Sequence, residues 1–384
     1  MKKIKVLNVI WSMKAGGAQQ VVLNYLRDFK DDPDIDFSVC VYTAPTNSKY
    51  DQEIKREQYK VSYLNNPKTK IQIPYIKRFF QRPISQKAWA DYICKSKPDI
   101  IHVHISSLLG ATLPGIIKND VPVRFDTLHS SPYRYTGRIK GLIVDAFRNE
   151  NIIPICVTEA QVEESKEWYG ITKYEVVRNG VDIEKIKEKC CPKIEARKEF
   201  GLGADDFVII GVGRLNPIKK YDLLVDSFAE VKKKNSKSVL LFAGDGDEKK
   251  KLQYKAKKNG ISESVKFLGN ISDVTKLYCA ADVLAVTSDT ESSSLVAIEA
   301  QVCGTRCVLS AGVPRESILL NRTQRLKKDA TAKDWCCALL DNSYRGIPVA
   351  NIEDYEVHNM SRKMKEVYLK YYSMYKEKQN ADTK

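Results

Sequence analysis

The sequence predicts an α/β protein built from two facing Rossmann-like, doubly wound domains. Two series of short apolar runs alternate with longer amphipathic stretches along the chain. Apolar strands separated by helices are typical of parallel sheets that are covered on both faces, and two such series indicate two domains. A length of 384 residues agrees with this number.

Each predicted strand is a short apolar run, and each predicted helix repeats its apolar residues every three or four positions. The strands of the first series cover residues 4–11, 37–42, 61–63, 100–104, 123–127, 153–157 and 175–178. Those of the second series cover residues 208–212, 239–243, 265–268, 283–286 and 307–310. The helical patterns include residues 19–29, 221–234, 248–259, 274–279 and 294–303.

The predicted domains span residues 1–185 and 205–365. Residues 182–204 carry many charges and no apolar period, which is typical of a connector. The lysine- and tyrosine-rich tail at 366–384 is predicted as a helix that frays into solvent at its end and can pack back on the first domain.

The composition indicates a reduced, cytoplasmic protein. The ten cysteines are scattered without a Cys-x-x-Cys pair, so we expect free thiols and no zinc site. The apolar run after Lys5 is too short for a signal peptide, and no run approaches the roughly 20 apolar residues that span a bilayer.

Nearly half of the net charge of +15 lies in one segment, residues 68–97, where basic residues are interleaved with aromatic and aliphatic ones. This pattern favours contact with an anionic membrane surface, at the inner face of the plasma membrane. An amphipathic helix with a solvated lysine face explains it equally well. The basic residues form no nucleic-acid-binding motif, so we expect no nucleic acid partner.

Glycines follow the first strand of the first domain. Gly16 and Gly17 stand where that strand gives way to a helix, so their backbone can approach a ligand closely and the helix start favours an anion. The dinucleotide pattern Gly-x-Gly-x-x-Gly is absent. A tight strand-to-helix turn accounts for these glycines just as well.

Two cations follow the first strand of the second domain. Arg214 and Lys219 lie five residues apart on a strand-to-helix loop. A guanidinium can hold phosphate oxygens in a bidentate manner and an ammonium supplies a compact charge, so the pair suits a diphosphate. The alternative is an ordinary basic surface loop.

Two carboxylates, Glu291 and Glu299, are separated by seven residues that include three serines. Ser294 is predicted to cap a helix that runs to Cys303, which places Glu299 about two turns into it. The free amides at such a helix start can bind phosphate or sugar oxygens. Glu299 is costly to bury unpaired, and a ribose diol would satisfy it; the alternative is an exposed glutamate and a structural ion pair.

Three of the four histidines stand at strand ends of the first domain: His102, His104 and His129. We expect His129 in the site, at least one of the other two in a structural role, and His102 and His104 on opposite faces of their strand. The run Asp245-Gly246-Asp247 matches an Asp-x-Asp metal motif. We interpret it as a turn before a helix, because Arg214 and Lys219 supply the charge that a metal would.

Taken in order, these motifs resemble glycosyltransferase family 4, of the two-domain GT-B type. The resemblance covers most of the chain, and the stretches that carry it are residues 16–18, 98–104, 178–182, 213–219, 267–269, 281–283 and 291–299. Residues 299–310 and 313–316 are similar to members that build exopolysaccharide or capsule.

The resemblance implies a retaining transfer of a hexose from a nucleotide-diphosphate sugar, UDP-linked, to a glycan or polyprenyl-diphosphate-linked acceptor. It implies that residues 1–185 bind the acceptor and residues 205–365 the donor, with no cofactor and no metal. Arg214 and Lys219 would hold the diphosphate, Glu299 the ribose and Glu291 the hexose. The remaining implied site residues are Gly16, Gly17, His104, His129, Asn179, Phe267, Leu268, Ser292, Ser293, Ser294 and Leu295.

The chain departs from the family pattern in three places. The usual Glu-Gly-Phe-Gly is Glu291 followed by three serines, which puts the identity of the sugar in doubt. Gln19 stands where the family typically has an acidic residue, and Lys220 stands where a glycine is common. Two other functions remain open: a sugar-nucleotide 2-epimerase, which needs no acceptor, and a non-catalytic sugar-nucleotide-binding subunit.

Overall fold

The computed structural model divides the chain into two compact units. The first consists of Met1–Asn179 together with Val357–Lys384, and the second of Gly180–Glu356. The structure describes residues 2–14, 16–65, 74–271, 273–341, 343 and 352–382, with only the backbone for 74–81 and 382. The charged segment 68–97 therefore lies partly outside the described residues, and this includes the side chains of Lys68, Lys70, Lys77 and Arg78.

The first unit contains a seven-stranded parallel sheet in the order β3-β2-β1-β4-β5-β6-β7. Its strands are β1 (Ile4–Ile10), β2 (Ile35–Val41), β3 (Val61–Tyr63), β4 (Ile100–His104), β5 (Val123–Thr127), β6 (Ile153–Cys156) and β7 (Glu175–Val176). Its helices are α1 (Gly17–Asp28), α2 (Lys49–Arg56), α3 (Pro74–Ser96), α4 (Leu109–Lys118), α5 (Gly137–Arg148) and α6 (Glu159–Tyr169).

The second unit contains a six-stranded parallel sheet in the order β10-β9-β8-β11-β12-β13. Two helices open the unit, α7 (Ile183–Lys189) and α8 (Lys193–Glu199). The strands are β8 (Phe207–Val212), β9 (Ser238–Ala243), β10 (Val265–Gly269), β11 (Val283–Val286), β12 (Arg306–Leu309) and β13 (Gln324–Arg325). The other helices are α9 (Tyr221–Lys234), α10 (Lys249–Lys258), α11 (Thr275–Ala280), α12 (Leu295–Val302) and α13 (Ala332–Leu340).

Both sheets are covered on both faces, which confirms the predicted fold class. In β1, Val6 and Ile10 pack into one apolar cluster while Leu7 and Val9 pack into another. Since strand side chains alternate between faces, the two clusters lie on opposite sides of the sheet. β8 repeats this arrangement with Ile209 in one cluster and Ile210 in another.

The prediction that residues 182–204 form a connector is wrong, because this stretch contains two helices. α7 and α8 pack on α11 and α12 and belong to the second unit. Ile183 and Ala196 are buried, and Asp182 caps α7 by accepting a bond from the Lys185 amide. Helices of seven residues bury too few side chains to show an apolar period in the sequence.

The carboxy-terminal helix, α14 (Val357–Asp382), begins well before the predicted tail and returns to the first unit. Met360, Met364, Val367 and Tyr368 are buried in the core beside β1. Their spacing of three and four residues defines one helix face. The tail therefore packs back on the first unit, as the sequence analysis allowed, and Val367 and Tyr368 lie in its core.

Among the residues that the structure describes, no helix combines the length and the apolar content that crossing a bilayer requires.

Candidate active site

The site in the second unit lies where the strand order reverses. β8 pairs with β9 on one side and with β11 on the other, so successive strands extend outwards in opposite directions from the β8–β11 pair. In open parallel sheets, ligands bind at the carboxyl ends of strands at such a switch point. The loop that follows β8 carries Arg214 and Lys219, and the loop that follows β11 carries Glu291.

The two loops are joined by an ion pair. Lys219 Nζ lies 2.6 Å from Glu291 Oε1, and the two side chains are 20% and 15% exposed. Ser288 also donates to Glu291 Oε1 over 2.7 Å, and Thr287 Oγ1 donates to the Lys219 carbonyl over 2.6 Å. The structure thus brings together a predicted cation and a predicted carboxylate that are far apart in sequence.

Backbone packing fixes the β8 loop. The Leu215 amide donates to the Asp245 carbonyl over 3.0 Å. A Cβ on Gly244 would lie 1.9 Å from the Gly213 carbonyl oxygen, and one on Gly246 would lie 2.3 Å from that of Leu215. The run Asp245-Gly246-Asp247 therefore forms a turn that supports the β8 loop, with both aspartates exposed.

Gly312 supports the β11 loop in the same way. The Glu291 amide donates to the Gly312 carbonyl over 2.9 Å. A Cβ on Gly312 would lie 2.2 Å from the Asp289 carbonyl oxygen, so only glycine fits there. The sequence analysis missed this residue, because a single glycine three residues beyond a strand carries no distinctive pattern.

Arg214 is exposed at the carboxyl end of β8, next to Gly213, whose φ is +139°. An ideal Cβ on Gly213 would lie 3.6 Å from Lys219 Nζ, which shows that the ammonium lies directly against this backbone. Arg214 and Lys219 are thus held on one short loop.

Glu299 is half-buried on α12, and the structure gives it a partner within the chain. Tyr278 on α11 donates its hydroxyl to Glu299 Oε2 over 2.9 Å. The Tyr278 ring is buried, and burial and the nearby carboxylate raise the pKa of its hydroxyl well above its usual value. A ribose is therefore not needed to make this burial tolerable, contrary to the sequence argument, and Tyr278 was missed.

Ser294 is the N-cap residue of α12, but its hydroxyl makes no capping bond, which corrects that expectation. The Ser294 amide donates to Ser317 Oγ over 3.2 Å, while its own Oγ is buried without a hydrogen-bond partner. Ser292 is buried and Ser293 and Leu295 are half-buried at the same helix start. The first amides of a helix have no partner within it, so this end of α12 offers donors to an anion.

Phe267 and Leu268 are half-buried on β10. The Phe267 ring stacks on Phe242 at a centroid distance of 5.2 Å. The Gly244 amide donates to the Gly269 carbonyl over 2.7 Å, which ties the end of β10 to the turn that supports the β8 loop.

The first unit has its own switch point, between β1 and β4. Gly17 begins α1 and Gly16 precedes it as the N-cap residue, without a side-chain capping bond. The Gly16 carbonyl accepts the first helical bond, from Gln20, over 2.9 Å. This is the strand-to-helix turn that the sequence predicts.

His104 and His129 form a hydrogen-bonded chain with Asn8. His104 Nε2 lies 2.6 Å from Asn8 Oδ1, and His104 Nδ1 lies 2.8 Å from His129 Nε2. Because an amide oxygen can only accept, His104 donates through Nε2 and accepts from His129 at Nδ1. The lone pair of the His129 ring is then on Nδ1.

His102 bonds to Tyr368 at 2.7 Å and to Thr127 at 2.6 Å, which is a structural role. The prediction that His102 and His104 point to opposite faces is wrong: their rings stack at 4.2 Å, because residues two apart on a strand share a face. Burial lowers the pKa of His102 to about 3 and lowers those of His104 and His129, so the three rings are neutral near pH 7.

Two further polar residues of the first unit are buried. Asn179 is buried, three residues after β7 ends. Asp126 on β5, which the sequence analysis did not single out, is buried, and this burial raises its pKa to about 8. Nothing in the pattern of a five-residue strand distinguishes such an aspartate from a solvated one.

Comparison with known proteins agrees with this geometry in both units. Residues 15–185 match the family model described as Glycosyltransferase Family 4, and residues 192–336 match the one described as Glycosyl transferases group 1. Together the two models cover most of the chain.

Two relatives and one solved structure illustrate the similarity. A D-inositol 3-phosphate glycosyltransferase of Mycobacteroides abscessus is 37% identical over 175 residues, which are 44% of this chain and 38% of that relative. EpsF of Bacillus subtilis strain 168, which carries a provisional glycosyltransferase name, is 24% identical over 80% of this chain and 79% of its own length. The structure of Anabaena HepE in complex with UDP and glucose superposes with a TM-score of 0.78 at 19% identity, covering 95% of this chain and 99% of that one.

The fold and these matches define the class of protein as the GT-B glycosyltransferases. Within that class, the match of residues 15–185 to the model described as Glycosyltransferase Family 4 agrees with the family that the motifs predict. The match spans well under half the length of the D-inositol 3-phosphate glycosyltransferase.

Proposed function

We propose that the protein transfers a hexose from a UDP-sugar to a glycan or lipid-linked acceptor in exopolysaccharide or capsule synthesis, with retention of configuration. The observation that carries the proposal is the Lys219–Glu291 pair, which joins the loops after β8 and β11 at the switch point of the second sheet. The complex of HepE with UDP and glucose supports a donor of this chemistry.

In the proposed donor site, Arg214 and Lys219 bind the diphosphate, and the start of α12 adds amide donors to it. Their positive charge stabilises the departing diphosphate, which is the main source of catalysis in this account. We propose that these two cations do the work without a metal ion or cofactor.

The sugar and nucleoside contacts follow from the neighbouring groups. Glu291 binds hydroxyls of the hexose, with Ser292, Ser293, Ser294 and Leu295 beside it on the same loop and helix start. Glu299 binds the ribose through the carboxylate that Tyr278 orients. The end of β10, at Phe267 and Leu268, holds the base by backbone contacts.

In the first unit, we assign His129 to the reacting sugar and His104 and Asn179 to the acceptor side. Burial keeps the His129 ring neutral, so its Nδ1 atom is an acceptor for a sugar hydroxyl rather than a proton donor. His104 orients that ring through the bond to His129 Nε2. The loop at Gly16 and Gly17 approaches the acceptor or the phosphate.

The acceptor class and the cellular place rest on the sequence. A polyprenyl-diphosphate-linked acceptor suits the charged segment at 68–97, which we propose meets the anionic inner face of the plasma membrane from the cytoplasm. Changing Lys77, Arg78 and Arg82 together to glutamate is expected to weaken flotation with anionic vesicles. Unchanged flotation contradicts membrane contact through this segment.

Ligand-dependent thermal unfolding of the full chain tests the donor site directly. UDP is expected to raise the midpoint more than UMP, because the second phosphate reaches Arg214 and Lys219. Lys219→Met is expected to reduce the difference. Equal shifts for UDP and UMP in the unaltered protein contradict the assignment of these cations.

A further inference from the structure

We propose that Cys190, Cys279 and Cys303 form a thiolate site for a zinc ion in the second unit, apart from the proposed donor site. Their three sulfur atoms all lie within 4.8 Å of one another. They come from the ends of three different helices: Cys190 and Cys303 are the C-cap residues of α7 and α12, and Cys279 is the penultimate residue of α11.

The separation of the sulfurs fits a shared ion. Tetrahedral Zn²⁺ with Zn–S bonds of about 2.3 Å places its sulfur ligands about 3.8 Å apart. All three pairs of sulfur atoms lie within 4.8 Å, which is compatible with this separation. A disulfide would require only one pair of sulfur atoms to be close. Three mutually adjacent thiols are a soft donor set, which favours Zn²⁺ over hard cations such as Mg²⁺.

The Cys279 sulfur lies at the centre of the group. The Cys303 thiol, the Cys191 amide and the thiols of Cys190 and Cys191 are hydrogen-bonded to it. Cys191 therefore supplies an N–H bond to a ligand sulfur, which is a common support in metal sites.

These thiols are more accessible than the cysteines of the core. All three are half-buried, so that an ion can reach them, whereas Cys40, Cys156, Cys307 and Cys336 are fully buried as apolar core residues usually are. The sequence analysis expected no zinc because the thiols are far apart along the chain. It is the packing of α7 on α11 and α12 that brings them together.

A zinc ion here would stabilise the helices that carry the donor site. Cys279 directly follows Tyr278 on α11, and Cys303 lies four residues after Glu299 with its amide bonded to the Glu299 carbonyl at 3.1 Å. Crosslinking the two sulfurs through the ion fixes α11 against α12 and so holds the Tyr278–Glu299 hydrogen bond. This consequence rests on the proposed function, whereas the metal site itself does not.

The test is the zinc content of the full chain, purified from zinc-supplemented cells and desalted without chelator. We expect a molar ratio of about one, as in structural thiolate sites, lost in Cys279→Ser and in Cys303→Ser. Cys337→Ser is the matched control, since Cys337 is exposed and belongs to the other adjacent pair. Metal-free wild-type protein, or zinc retained by Cys279→Ser, overturns the proposal.

A second measurement uses the unaltered protein, so it does not depend on the folding of a variant. Cobalt(II) added to the reduced apoprotein is expected to give intense thiolate-to-cobalt charge-transfer absorption, and zinc is expected to displace it. Zinc is also expected to protect Cys190, Cys279 and Cys303 from alkylation while the exposed Cys94 and Cys337 react as before. Equal alkylation of all five with and without zinc, or a stable disulfide among the three in their place, contradicts the site. Both readouts are independent of donor and acceptor.

Discussion

Lys219 Nζ lies 2.6 Å from Glu291 Oε1 across the two loops that end β8 and β11. The pair is part-buried and its carboxylate also accepts a bond from Ser288, so the two loops are held together by a charged, hydrogen-bonded contact. A donor diphosphate that binds Lys219 must share that ammonium with Glu291, which places the sugar next to the carboxylate in the proposed site.

Replacement of either partner of this pair is expected to reduce turnover. Lys219→Met removes the charge that faces the leaving diphosphate, and Glu291→Gln keeps the size of the side chain but not its charge. We expect kcat to fall by roughly 10²–10³-fold for Lys219→Met, as when other groups that stabilise developing charge are removed. Steady-state release of nucleoside diphosphate measures the effect.

Lys237→Ala is the control for a lost salt bridge. Lys237 pairs with Asp205 at 3.1 Å with both side chains largely exposed, at the opposite ends of the strands of the same sheet. We expect the activity and the unfolding midpoint of the Lys237→Ala protein to match those of the wild type. A Lys219→Met protein with wild-type turnover removes Lys219 from the mechanism.

Tyr278→Phe is expected to raise the KM for the donor about tenfold with a smaller change in kcat. The substitution deletes the hydroxyl that orients Glu299 Oε2 and retains the buried ring. A hydrogen bond to a charged group contributes about 1.5–3 kcal/mol, which sets the size of the effect. Tyr254→Phe, at a residue that is 72% exposed, is the control. An unchanged KM in Tyr278→Phe contradicts the ribose assignment of Glu299.

Gly312→Ala is expected to destabilise the β11 loop and to weaken donor binding. The added Cβ would lie 2.2 Å from the Asp289 carbonyl oxygen, so one of the two backbones must move, and Glu291 moves with it. Calorimetry with UDP measures the affinity, and thermal unfolding the stability. Gly141→Ala on α5 is the matched control, because its Cβ meets nothing within 4 Å and alanine favours the helix. Equal UDP affinity in both variants contradicts this role for Gly312.

The buried carboxyl of Asp126 predicts a pH-dependent stability. Burial raises its pKa from 3.8 to about 8, so between these values the folded protein binds more protons than the unfolded chain. The contribution of Asp126 to the free energy of unfolding then falls as pH rises from about 4 to 8, by at most about 1.4 kcal/mol per pH unit. Asp126→Asn removes this contribution and is expected to stabilise the protein most at pH 8 and above.

Denaturant unfolding at a series of pH values measures this dependence. Asp120→Asn is the control, because the Asp120 side chain is fully exposed. If Asp126→Asn leaves the slope of stability against pH unchanged, Asp126 is not protonated in the folded protein at neutral pH.

The sheets were predictable from the sequence because their strands are buried on both faces. Runs such as Ile100–His104 and Val283–Val286 need no tertiary information to be recognised. The two-residue strand β13 and the short helices α7 and α8 were not predicted, because their stability comes from packing rather than from a local sequence pattern.

The site could be predicted only where its residues stand in motifs. Arg214, Lys219, Glu291 and Glu299 are recognisable from their spacing. Tyr278, Gly312 and the cysteine group are not, because each acts through a partner that only the fold brings near. The error about His102 and His104 came from misapplying the strand period rather than from missing information.

The most direct test of the central claim is a panel of nucleotide sugars incubated with the purified full chain, with and without a membrane extract and without added metal. We predict release of nucleoside diphosphate from one donor, dependent on the extract, together with a glycosylated product that retains the anomeric configuration of the donor. An epimerised donor that forms without the extract, or donor binding without any turnover, contradicts the account.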